Sequence, residues 1–144
     1  MLRACRNDNG SVLMLFPAAI LIMFILAAIT IDLTAVHARQ RDLLAAATDA
    51  ANDAATAGLD EAALRAGLGY RIDQNKAWFV AINVLATKGI LDDLDNGIDL
   101  SIGEDGAVTV RLARQVPYVF ANAIPGAPDS VTVRATATAQ IQQR

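Results

Sequence analysis

From Ser11 to Ile31 the chain reads SVLMLFPAAILIMFILAAITI, without a single charged side chain. A run of roughly 20 apolar residues is long enough to cross a bilayer as a helix. About twelve of its positions are Val, Leu, Ile or Phe, which together offer on the order of 5 kcal/mol toward insertion. Pro17 is expected in the first turns, where a missing N–H costs least. Asp32 closes the run, because an unpaired carboxylate one step deeper would be expensive. The pattern then continues as AVHARQRDLLAAATDAANDAATAG, an alanine-rich stretch of high helix propensity. At 100° per residue Asp42, Asp49, Asp53 and Asp60 fall on one stripe with Thr56 beside them, and Leu44, Ala47, Ala51 and Ala55 lie opposite. The sequence therefore predicts one long helix, half in lipid and half in water. The small-residue face is a candidate helix-packing face, toward the protein's own head or toward copies and partners.

Gly58 breaks this helix. A short helical stretch, EAALRAG, follows Asp60 and ends at Gly67 and Gly69. Asp73 is placed to cap a further helix, QNKAWFVAINVLATK, which Gly89 closes. Trp78, Ile82 and Leu85 share a face there with Ala81 beside them, which reads as core. Beyond Ile90 the period becomes two. Ile98 to Ile102 and Val108 to Leu112 alternate around a Gly103-Glu104-Asp105-Gly106 turn. Val131, Val133, Ala135, Ala137, Ala139 and Ile141 make one face of a third strand. Pro117, Pro125 and Pro128 confine the intervening VPYVFANAIPGAPD to a connection with at most a short helical turn. The expected fold class is α+β: a membrane helix, an alanine-rich helix, a short helix pair and a small three-stranded antiparallel sheet covered by helices. The expected division is a cytoplasmic segment over 1–10, a transmembrane helix over 11–31, a helical stalk over 32–58 and an exported head over 59–144.

Composition narrows the functional classes. The chain has 144 residues and a net charge of −3, so the basic footprint of a nucleic-acid-binding protein is missing. Its one cysteine, Cys5, precedes the apolar run, so no disulfide forms within the chain. A lipoprotein would need that cysteine after the run. Arg3 and Arg6 before the span balance Arg39 and Arg41 after it, so charge alone does not orient the helix. The short N-terminal segment is more easily left in the cytoplasm, which gives N-in, C-out. A cleaved secretory signal is the alternative, with small residues at Val36-His37-Ala38. Against it, Asp32 separates that site from the apolar region, and the helical pattern runs through it.

Gly10-Ser11-Val12, the early Pro17, Asp32-Leu33 at the end of the span, and Leu43 followed by the alanine-rich AAATDAANDAATA together carry a resemblance. The N-terminal third, from about Gly10 to Ala57, resembles the TadE/TadG-like proteins of bacterial tight-adherence (Flp) pilus assembly systems. In that family a glycine precedes the span, an aspartate closes it, and an alanine-rich segment with an internal aspartate follows. Asp32 and Asp49 match those aspartates. Leu44 stands where glutamine is frequent. Leu15 stands where pseudopilins cut by a prepilin peptidase carry glutamate, which implies an uncut chain nearer the TadG-like side. The resemblance implies a membrane-anchored protein working by contacts with other pilus-assembly proteins or with copies of itself.

No catalytic constellation is legible. His37 is the only histidine and lacks Cys or His companions for a metal site, so it reads as structural or interfacial. Ser11, Ser101 and Ser130 lie outside any G-x-S-x-G turn. Asp92, Asp93, Asp95 and Asp99 cluster, but an EF-hand register puts Leu94 at a ligand position and Gly103 where the bidentate Glu belongs. A solvated loop is the default there, and an irregular calcium site stays open. No cofactor, catalytic residue or nucleic-acid partner is expected. The bilayer is the one firm partner. The leading reading is a bacterial single-pass envelope protein in pilus biogenesis or adhesion; the alternative is an anchored or secreted binding domain unrelated to pili.

Overall fold

The computed structural model describes residues 9–67 and 71–141, with side chains from Leu15 onward. The expected cytoplasmic segment as far as Asp8, with Cys5, lies outside the described residues, as does Gly69. Helix α1 runs unbroken from Asn9 to Ala57. At 1.5 Å per residue its 49 residues extend roughly 74 Å. Pro17 sits inside α1 rather than in its first turn, because the helix begins at Asn9. Membrane helices tolerate such a proline because neighbouring groups re-satisfy the freed carbonyl.

The two halves of α1 have different surroundings. Between Leu15 and Leu33 all the large apolar side chains but Ile20 are bare: Phe16 is 67% exposed, Phe24 65% and Leu26 59%. From Leu43 on, one stripe is fully enclosed, comprising Leu43, Ala46, Ala47, Ala50, Ala51, Ala54 and Ala55. The spacing of three and four is that of a helix burying a single face. The stretch expected as a stalk is thus the centre of the head's own core.

After α1, Gly58 lets the chain turn back tightly. A Cβ there would strike the Ala54 carbonyl oxygen and lie 3.0 Å from the Ala77 Cβ. Helix α2 (Glu61–Arg65) is capped by Asp60, whose carboxylate accepts from the N–H groups of Ala62 and Ala63. Asp60 therefore leaves the acidic stripe and serves as a cap. Helix α3 (Gln74–Thr87) begins at the cap Asp73, as its sequence predicts. It lies along α1, pinned at its far end by Lys88 on Asp49, 2.6 Å apart.

The buried face of α3 is Ala77, Ala81 and Leu85, so Leu85 and Ala81 of the expected face turn inward and Trp78 does not. Trp78 is 41% exposed and Ile82 only partly buried. Alanine meeting alanine lets the two helices approach closely, and an indole at that seam would force them apart.

Strands β1 (Asp99–Ile102), β2 (Val108–Pro117) and β3 (Ser130–Ala139) form an antiparallel sheet in that order. Val108 pairs with Ala139 and Pro117 with Ser130, so β2 and β3 are matched over their full length. Strand β2 runs five residues beyond the expected Leu112. Its inner face, Val108, Val110, Leu112 and Val116, joins Leu100, Val133, Ala135 and Ala139 against α1. The fold is α+β, with α1 between the sheet and α3.

Candidate functional site

The sheet lies along α1, and the end of β2 brings the following connection, Tyr118 to Asp129, beside Asp32. Asp32 is the single buried charged side chain among the described residues, with 6% of its surface exposed. Three consecutive backbone groups meet it. The Val119 N–H donates to Oδ1 at 2.7 Å and the Ala121 N–H to Oδ2 at 2.9 Å. Between them the Phe120 N–H reaches both oxygens, at 3.0 and 3.2 Å. These amides open the 3-10 turn Ala121–Ala123, so the carboxylate sits at the positive end of aligned peptide dipoles.

Burial pushes the Asp32 carboxyl up, but the hydrogen bonds from Phe120, Ala121 and Val119 together outweigh it and hold the group below its ordinary value of 3.8. The sequence places Asp32 at the end of the apolar run without a partner for it; the partners come from residues almost ninety positions away.

Beside this contact the connection and α1 enclose a groove of about 390 Å³. Phe24, Ile25, Ala28 and Ile29 line one wall, Phe120 and Ile124 the other, with Asp32 at one end. Val119, Phe120 and Ile124 are 61, 43 and 60% exposed. The sequence signal available for this feature was the unbroken absence of charge from Gln115 to Pro128.

The structure divides the candidate packing face. Ala47, Ala51 and Ala55 are at most 2% exposed and are enclosed by the chain's own head, which leaves no room at them for a second copy. Leu44 alone of the four faces outward, 47% exposed. The acidic loop is tied to arginines: Asp93 pairs with Arg114 at 3.0 Å and Asp99 with Arg111 at 3.3 Å. Among the described residues no group of three or more His, Cys, Asp or Glu side chains is arranged to hold a metal ion. His37 is exposed on α1 beside Thr34, Ala38 and Arg41.

Comparison with family models, with curated proteins and with solved structures finds no match. Geometry carries the reading. Residues of α1 from Leu15 are long and apolar enough for a membrane span or a signal sequence, and that segment is almost wholly unburied by the protein itself.

Proposed function

We propose that this chain is a single-pass protein of the bacterial cytoplasmic membrane, with its N-terminus inside and its head outside. It acts through protein–protein contacts in the assembly of tight-adherence pili, as the TadE/TadG-like resemblance implies, and not through catalysis. The observation that carries the anchor is the continuity of α1. One helix is bare over its apolar third and forms the core of the head over its alanine-rich third. A helix shared in this way transmits position rigidly from membrane to head.

The same continuity supports retention over cleavage. Val36 packs against the head core, and Asp32 holds the connection between β2 and β3. Cutting after Ala38 would discard both. For the contact role, Trp78 and Phe79 on α3 and Leu64 on α2 are 41, 66 and 43% exposed. They follow the end of α1 farthest from the apolar segment, and exposed aromatic groups of this kind mark interaction surfaces.

A reporter active only outside the cytoplasm, fused after Arg144, tests the orientation, and it should be active. Deletion of the gene, complemented by the intact protein, tests the pilus role. Piliation should vanish and return. Normal pili in the deletion strain would assign the anchored head to a different envelope function.

A further inference from the structure

We propose that the connection between β2 and β3 is a second membrane contact, laid into the outer leaflet along α1 and clamped there by Asp32. The proposal rests on the membrane-anchored reading above. It adds a lipid-facing site to what would otherwise be a soluble head on a single helix.

Position comes first. The groove wall on α1 extends from Asp32 back to Phe24, eight residues toward the N-terminus. At 1.5 Å per residue that is roughly 12 Å along the helix. Phe120 and Ile124 form the opposite wall, so the connection folds back beside the apolar segment and does not project into water. If α1 spans the bilayer over 11–31, these side chains lie at the depth of the outer acyl chains. The occupant of the groove is then lipid, because its α1 wall is the membrane-facing surface of the span itself.

Chemistry agrees. No charged residue occurs from Gln115 to Pro128, and Val119, Phe120 and Ile124 are all exposed. Tyr118, where the connection begins, is of the type enriched at the headgroup level.

The backbone is the independent observation. In lipid, each unsatisfied N–H or C=O costs several kcal/mol, so such a loop enters by its apolar side chains, with its backbone groups met internally or left at the headgroup level. In this connection most of the N–H groups are met, and the carbonyls of Phe120, Ala121, Ile124 and Asp129 accept within it. Tyr118 donates to the Asp129 carbonyl, and Val119, Phe120 and Ala121 donate to Asp32. Ala123, Ile124 and Ala127 donate to the carbonyls of Phe120, Ala121 and Ile124. Pro125 and Pro128 have no N–H to satisfy, and Asn122, Gly126 and Asp129 stand outside this set. Asp32 therefore performs two tasks: it supplies acceptors to three amides, and it neutralises its own cost of lying at the lipid boundary.

Tryptophan fluorescence in vesicles tests the contact. The chain has one tryptophan, Trp78, so Trp78→Phe gives a silent background. In that background Phe120→Trp or Ile124→Trp reports the connection, and Met23→Trp reports the span. The native Trp78 reports the head. Each full chain is reconstituted into phosphatidylcholine vesicles with brominated acyl chains, which quench indoles in contact with them. The expected result is a loss of emission at Phe120→Trp and Ile124→Trp approaching that at Met23→Trp, with native Trp78 unaffected. Adding Asp32→Asn should reduce quenching at Phe120→Trp and leave Met23→Trp unchanged; equal quenching with and without Asp32 would remove the clamp. Strong quenching at Met23→Trp with none at either loop position would overturn the second contact while leaving the anchor standing. Absence of quenching at Met23→Trp would overturn the anchor and the contact together. Loss of loop quenching as the protein-to-lipid ratio rises would give the groove to a second copy and contradict a lipid occupant.

Discussion

A carboxylate with 6% of its surface exposed persists as an anion only where its charge is met, and at Asp32 three successive N–H groups meet it. The sign of its linkage follows. The native group titrates below its ordinary value of 3.8, so the contact contributes fully at pH above that value. The contribution is lost as pH falls below it through the lower native pKa. Hydrogen-exchange protection factors at the Val119, Phe120 and Ala121 amides, taken against the intrinsic rate at each pH, should therefore be high at neutral pH and fall in acid. Asp32→Asn should expose the same amides at every pH, because its NH₂ group turns a donor toward donors. Protection unchanged in that variant would show that the connection holds without the carboxylate. A second residue-scale expectation concerns Ala51, fully enclosed in the head. Ala51→Phe overfills a closed seam and should cost about 1–3 kcal/mol in urea denaturation. Asp53→Asn, on the exposed side of α1, should stay within about 0.5 kcal/mol.

At the scale of elements, period and punctuation in the sequence located most of the fold. Asp73 caps α3 and Gly89, at φ +66°, follows its end, as their residue types predict. Alternation located the three strands. What periodicity could not show was which of two overlapping stripes on α3 turns inward. Trp78 is the bulkier candidate, but the enclosed stripe of α1 is alanine apart from Leu43, and close helix packing takes Ala77 in its place beside Ala81 and Leu85. The extension of β2 to Pro117 was hidden for a related reason: Ala113 and Arg114 interrupt the apolar pattern, and pairing with β3 alone carries the strand onward. The Asp32 clamp was illegible altogether, since its partners are ordinary backbone amides far along the chain and no side-chain type marks them. Two expectations separate the faces of α3. Leu85→Ala, in the enclosed face, should cost about 2–5 kcal/mol by the same denaturation measurement. Phe79→Ser, 66% exposed, should leave stability within about 0.5 kcal/mol and yet abolish piliation if this surface carries the proposed contact. Full piliation with the variant head present at ordinary levels would move the contact elsewhere.

For the whole molecule, a helix of 49 residues ties together what a cleavable leader would separate. Its apolar part lacks any cover from the protein, and its alanine-rich part cannot leave the head without emptying the core. The central claim is that the chain stays uncut and crosses the membrane with its head outside. Cys5, the only cysteine, lies on one side of the apolar run, and Glu104 in the turn between β1 and β2 lies on the other. Labelling intact and permeabilised cells with a membrane-impermeant maleimide, in the native chain and in Glu104→Cys, tests the claim most directly. Glu104→Cys should react at its introduced thiol in intact cells, while Cys5 should react only after permeabilisation. A mature protein with no reactive Cys5 under either condition, or a Cys5 labelled from outside, would contradict it.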